Sequence, residues 1–128
     1  MKIIIQTIPH SSQPYSTCGD WRRDETGSLI INVSQELGDR YAALVALHEL
    51  VEVMLCEDRG ITTKSVDEFD IEFEKRREKS LTLDTSEPGD DRSAPYENEH
   101  CIATGIERIM AAALKVKWKD YETAINSL

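Results

Sequence analysis

The segment from Tyr41 to Cys56 constrains the fold more than any other part of the chain, because almost every residue in it is apolar or small. A helix that is apolar nearly all round is buried. Asp39 is the expected N-cap of this helix, which is predicted to end at about Asp58 because Gly60 suits the C′ position. The sequence therefore predicts one long, buried central helix with the rest of the protein packed around it.

The residues before this helix predict a small sheet. Ile3 to Ile8 is a β-branched run that ends at Pro9, and Leu29 to Val33 is a second such run. Residues 24–27, with the sequence Asp-Glu-Thr-Gly, form a predicted turn ahead of the second run. This arrangement indicates a small antiparallel sheet.

The residues after the central helix predict further helices. Residues 65–68, Ser-Val-Asp-Glu, have the capping-box pattern that begins a helix, and this helix ends in the charged run 74–79. Residues 82–95 are a predicted loop, Pro95 suits the first turn of a third helix, and an amphipathic tail over 118–128 packs back. The predicted core face of the third helix consists of Ile102, Ile106, Ile109, Met110 and Ala113. Strands followed by three or four helices predict a single α+β domain over residues 1–128.

The charge balance limits the partners of the protein. Against 15 basic residues stand 24 acidic ones, which gives a net charge of −9. This argues against duplex nucleic acid or an anionic membrane as a partner, although a homo-oligomer is compatible with it. The three cysteines form no CxxC pair, and the first residues lack the long apolar run of a signal peptide. The sequence thus predicts a cytoplasmic protein with reduced thiols and no membrane span.

A histidine and a glutamate on the central helix are the first candidates for a functional site. His48 and Glu52 are four residues apart, so both side chains lie on one face of the helix among apolar neighbours. Burying an unpaired carboxylate is costly, so Glu52 needs a partner. A divalent metal is one such partner, and a buried His–Glu pair without a metal is the alternative.

The start of the third helix offers the best supply of a further metal ligand. Glu99 and His100 stand there side by side. Helical geometry places Glu99 beside the predicted core face and His100 on its flank, but a shift of one residue in the helix start reverses this order. His100 is the better zinc ligand by chemistry. Both residues therefore remain candidates.

The segment His48-Glu49-Leu50-Val51-Glu52 resembles the zinc-binding helix of zincin metallopeptidases, whose pattern is His-Glu-x-x-His. The resemblance implies a metal-dependent hydrolase in which His48 is the first ligand and Glu49 is the catalytic general base. Glu52 then replaces the second histidine ligand. Zinc is the expected ion, and the carboxylate also suits harder ions.

A second resemblance leads to a different enzyme class. Glu49-x-x-Glu52 followed by Asp67-x-x-Asp70 is similar to the paired acidic motifs of MazG-like nucleotide pyrophosphohydrolases. It implies carboxylates that hold magnesium or manganese ions against a triphosphate. This hypothesis predicts that the four carboxylates converge and that His48 is peripheral. The zincin hypothesis predicts instead that His48 and Glu52 meet the third helix.

Most of the chain resembles the small uncharacterised proteins of bacteriophages and prophages. The resemblance is carried by four segments, 1–9, 48–56, 66–70 and 87–104. It implies a genomic setting and no particular chemistry. A third hypothesis follows, in which the protein is not an enzyme but sequesters a host protein or a small signal and holds a structural metal with closed coordination.

Overall fold

An N-terminal sheet of three strands followed by four helices makes up the computed structural model, which describes residues 1–80 and 86–128. The predicted α+β class is therefore confirmed. The predicted loop over 82–95 lies partly outside the described residues, and its described part contains a 3₁₀ turn at Pro88–Asp90. The strands are β1 (Ile3–Ile8), β2 (Gly19–Arg23) and β3 (Leu29–Ser34), and the helices are α1 (Asp39–Asp58), α2 (Thr63–Lys79), α3 (Glu97–Ala113) and α4 (Trp118–Asn126).

The sheet is mixed rather than antiparallel throughout, because β3 lies between the other two strands. β2 and β3 form an antiparallel pair, joined by a turn in which Gly27 has a φ of 80°. β1 pairs with β3 in parallel. The long connection over residues 9–18 carries the chain from β1 across to the far edge, which leaves room for β3 between them. The sequence did not predict β2, because its polar residues lack the β-branched pattern of a typical strand.

α1 lies between the sheet and α3, as expected of a central helix. Its buried residues Leu44, Val45 and Val53 share the core with Ile31 and Val33 of β3. Gly38, and not Asp39, occupies the N-cap position. α2 begins two residues earlier than predicted, because the hydroxyl of the preceding threonine accepts the Ser65 N–H at 3.2 Å.

The prediction for the core face of α3 is wrong. The predicted face is exposed, and Ile109 is 72% exposed. The residues that point inward are Glu99, His100, Ala103, Glu107 and Ala111. Two alanines on this face allow α3 to approach α1 closely, and its polar residues find partners there. The apolar stripe of the sequence is therefore the outer face of this helix.

α4 closes the fold against α3 and α1. Tyr121 is fully buried, and its ring packs edge-on against Tyr41 of α1 with the ring centroids 5.3 Å apart. Among the described residues, no helix combines the length and the hydrophobicity that a bilayer span requires. The fold thus brings the inner faces of α1 and α3 together, with α4 packed against both helices.

Candidate metal centre

Two helices bring three ligand atoms to one point in the interior. α1 supplies His48 and Glu52, and α3 supplies His100. Nε2 of His48 lies 3.2 Å from Oε2 of Glu52 and 3.2 Å from Nδ1 of His100. The third side of this triangle, from Nδ1 of His100 to Oε2 of Glu52, is 3.0 Å. All three residues are buried, and we call them the metal triad.

The backbone around the metal triad leaves its side chains little freedom. His48 and Glu52 share a face because they are one helical turn apart. The ring of His100 lies directly against Gly89 in the 3₁₀ turn, where an added Cβ would overlap the ring. Glycine at position 89 is therefore a requirement of this close approach.

The outer nitrogen of His48 is held by α3. Its Nδ1 lies 3.3 Å from Oε1 of Glu107, a buried carboxylate two turns beyond His100. Oε2 of Glu107 accepts a hydrogen bond of 2.7 Å from the hydroxyl of Tyr121. A carboxylate in this position fixes the orientation of a ligating imidazole and makes it more basic.

The other two members of the metal triad are held in the same way. Nε2 of His100 forms ion-pair contacts of 3.0 Å with Glu87 and 3.5 Å with Asp90, neither aligned as a hydrogen bond. Oε1 of Glu52 accepts a hydrogen bond of 3.2 Å from Nε1 of Trp21 in β2. Each residue of the metal triad therefore turns one donor atom inward while its other polar atom is held from outside.

The surrounding charges set the protonation of the metal triad. Burial lowers the pKa of His48, but contacts with Glu107 and Glu52 outweigh it and raise the pKa to about 10. Burial also lowers the pKa of His100, but its contacts with Asp90, Glu52 and Glu87 outweigh burial and raise the pKa to about 12. Burial raises the pKa of Glu52, but its contacts with the two histidines lower it to about 2. The carboxylates around the two imidazoles therefore favour their protonated forms, so a metal ion would have to displace protons to bind there.

Glu49 lies beside the metal triad on the neighbouring face of α1. Its carboxyl packs against Gly19 of β2, where an added Cβ would lie 2.6 Å from Oε1 of Glu49. Together with the metal triad it lines a cavity of about 230 Å³. Loss of solvent, and then the charge of Glu52, raises the pKa of Glu49 well above its ordinary value. A carboxyl that lines the cavity beside the metal triad is placed to accept and return a proton.

The remaining predicted site residues lie apart from the metal triad. Glu99 forms an ion pair with Arg59 at the end of α1. Asp70 accepts hydrogen bonds from Tyr15, at 2.9 Å, and from Tyr96. Asp67 lines the cavity. In the described part of the chain, the ligand atoms of Glu99, Asp67 and Asp70 do not lie close enough to other ligand atoms to hold one ion together with them.

Sequence reasoning missed three of the residues that surround the metal triad, namely Glu107, Trp21 and Tyr121. Glu107 follows His100 by seven residues, so both occur on one helix face, and a search for polar residues at that spacing finds it. Trp21 and Tyr121 carry no such signal, because β2 and α4 reach the centre only through the tertiary fold.

Comparisons of the chain with protein-family models, with curated proteins and with solved structures find no match. No relative therefore supplies a function or a set of site residues. The zincin and bacteriophage resemblances stay predictions, and a function has to be inferred from the chemistry of the metal triad and its cavity.

Proposed function

We propose that the protein is a metal-dependent hydrolase with a zincin-like centre, in which His48, Glu52 and His100 hold a zinc ion. The observation that carries the proposal is the triangle of donor atoms with sides of 3.0 to 3.2 Å. Zinc–ligand bonds of about 2.0–2.2 Å in tetrahedral geometry separate neighbouring ligands by about 3.3–3.6 Å. Small side-chain shifts are enough to admit the ion.

The donor set supports a catalytic rather than a structural ion. Two imidazole nitrogens and one carboxylate oxygen are a common set for catalytic zinc, which keeps a fourth position open, whereas structural zinc takes four protein ligands. The metal triad also lines the cavity, so a water molecule and a substrate have room beside it. Its outer contacts with Glu107, Glu87 and Trp21 are those expected around a metal.

The chain's own residues divide the hydrolytic work between them in this proposal. A zinc ion held by His48, Glu52 and His100 would supply Lewis acidity and would lower the pKa of a nearby water molecule. Glu49 takes a proton from the attacking water and returns it to the leaving group. Glu107 and Glu87 keep the imidazoles of His48 and His100 oriented throughout.

The alternatives have less support. The magnesium-dependent nucleotide hypothesis needs four converging carboxylates, and Glu49, Glu52, Asp67 and Asp70 do line one cavity. It also needs a peripheral His48, whereas His48 belongs to the metal triad, and of the four carboxylates only Glu52 belongs to a ligand group in the described chain. A structural metal with closed coordination needs a fourth protein ligand, whereas the group of ligand atoms around His48 in the described chain has three members.

A cytoplasmic location belongs to the same proposal, since Cys18, Cys56 and Cys101 are all unpaired.

The test is the metal content of purified protein, measured for zinc, iron and manganese together. We expect one equivalent of zinc in the wild type and none in His48→Ala or His100→Ala. His10→Ala is the matched control, because the third histidine bonds Ser34 outside the metal triad, and it should keep the zinc. A wild type that holds no metal even after incubation with zinc, or variants that hold as much, would contradict the proposal. Circular dichroism checks that the variants fold.

A further inference from the structure

The ring of His100 has a second nitrogen, which the metal triad does not use. This atom, Nε2, is fully buried and has no hydrogen-bond partner among the described residues. The side chain that carries it is only 6% exposed. A buried polar atom without a hydrogen bond destabilises the folded state, and an ion or a water molecule that belongs there is a common reason for it. Nε2 of His100 therefore indicates a place that a ligand completes.

Two carboxylates converge on this nitrogen. Oε2 of Glu87 lies 3.0 Å from Nε2 of His100, and Oδ1 of Asp90 lies 3.5 Å from it. These contacts are short, but they lack the alignment of hydrogen bonds. Ligand atoms around one ion show this combination, because each lone pair points at the ion and not at the neighbouring ligand. The three atoms lie within 4.8 Å of one another, close enough to share one ion.

The 3₁₀ turn at Pro88–Asp90 holds both carboxylates in place. Oδ2 of Asp90 accepts a hydrogen bond of 3.1 Å from the backbone N–H of Glu87, which leaves Oδ1 to face the imidazole. Gly89, between the two acidic residues, lies directly against the ring of His100. One short turn thus supplies two carboxylates and also contacts the ring that supplies the nitrogen.

The surroundings of this group suit a hydrated cation. Glu87 and Asp90 line a second cavity of about 450 Å³, together with Glu122 of α4. In the described chain Arg108 is the one lysine or arginine that lines it, and its guanidinium lies over the ring of Trp118, 4.6 Å from the centroid. The side chains of Glu87 and Asp90 are 48% and 55% exposed, so water can reach an ion between them.

We infer that Glu87, Asp90 and Nε2 of His100 form a second zinc site, which shares the ring of His100 with the metal triad. An imidazole beside two carboxylates suits zinc, whereas magnesium and calcium prefer oxygen ligands. The ion replaces the proton on Nε2, which leaves to solvent. Bonds of about 2.0–2.1 Å at both nitrogens of one ring place the two ions about 6 Å apart. Paired ions that activate one water lie about 3.5–4 Å apart, so the second ion fixes the turn and the ring and does not share the reaction.

The test is a calorimetric titration of zinc into desalted protein that retains its tight equivalent. We expect a second, weaker equivalent, because two of its ligands are half-exposed and the two ions repel each other across the ring. Asp90→Asn should weaken this second binding by a factor of about 10–100 or more. Its amide oxygen can still accept the N–H of Glu87, so the turn stays folded. Glu122→Gln, in the same cavity but outside the ligand group, is the matched control and should bind both equivalents.

The possible outcomes separate this inference from the proposed function. Saturation of the wild type at one equivalent overturns the inference and leaves the metal triad intact. A second equivalent that Asp90→Asn and Glu87→Gln both bind as tightly as the wild type also overturns it, because the ion then lies elsewhere. His48→Ala lacks a ligand of the first site only, so it should bind one weak equivalent. If the wild type has no tight equivalent but binds zinc through Asp90, the proposed function fails and the second site stands.

Discussion

At the scale of single residues, the contact between Nε2 of His48 and Nδ1 of His100 carries the first prediction. Both imidazoles have a raised pKa without a metal, about 10 for His48 and about 12 for His100. A metal must therefore displace protons, and the affinity for zinc should increase as the pH rises from 6 to 8. Two displaced protons correspond to about a hundredfold per pH unit.

The measurement is a zinc titration against a chelator of known affinity at each pH. At a pH below both pKa values, protons compete with zinc for the imidazole nitrogens of both histidines. The affinity for zinc is therefore expected to increase, and not to decrease, as the pH rises. An affinity that does not change with pH, after correction for the chelator, would show that the metal triad holds no displaceable protons.

A second prediction concerns Glu49. In Glu49→Gln the metal triad is unaltered, so we expect a full equivalent of zinc, but the general base is lost. Hydrolysis of p-nitrophenyl acetate by the zinc-loaded protein should fall by a factor of about 10²–10⁴. Glu68→Gln on the exposed surface of α2 is the control and should hydrolyse the ester like the wild type. Unchanged rates in both variants would remove Glu49 from the mechanism.

At the scale of secondary-structure elements, the turn at Pro88–Asp90 braces α3 through the close contact of Gly89 with the ring of His100. Gly89→Ala should displace that ring, so we expect weaker zinc binding and a lower melting temperature. Gly105→Ala within α3 is the matched control, because a Cβ there meets open space. Alanine at that helical position should stabilise the protein by up to about 1 kcal/mol. Zinc affinity that survives Gly89→Ala unchanged would contradict the described packing.

The elements differ in how much of them the sequence could predict. The bounds of α1 could be predicted from local sequence, because an apolar run between Gly38 and Gly60 indicates a helix without reference to the rest of the chain. The same holds for His48 and Glu52, which are neighbours on one helix face. His100 was a candidate by its chemistry alone, and its place in the metal triad depends on how α3 packs.

The inner face of α3 could not be predicted from its own sequence. Hydrophobic periodicity assigns the isoleucine stripe to the core, because it treats each helix as if only apolar contacts decided its orientation. Here His100 and Glu107 need the partners that α1 and α4 provide, and Ala103 and Ala111 leave room for close packing. The isoleucine stripe is exposed in the single chain, so a homo-oligomer stays a prediction, and analytical ultracentrifugation can test it.

At the scale of the whole molecule, a metal in this position joins two helices that are far apart in sequence. A ligand that binds only the folded state adds about 4 kcal/mol of stability when its concentration is a thousand times its dissociation constant. We therefore expect the melting temperature to rise with added zinc and to fall when a chelator removes it. In zinc too dilute to fill the weaker second site, His48→Ala should melt at a temperature that neither treatment changes. A wild type that is equally indifferent to zinc would contradict binding to the folded protein.

The hydrogen bond from Trp21 to Glu52 has a consequence for how related chains diverge. A carboxylate has two oxygens, so Glu52 can accept from the indole with one and serve the metal triad with the other. An imidazole that ligates through one nitrogen usually donates from its other nitrogen, so it offers the indole no acceptor. A chain with histidine at position 52 is therefore expected to carry a residue other than tryptophan at position 21. Positions 21 and 52 should covary, as a pair of substitutions that natural selection accepts together and rejects singly.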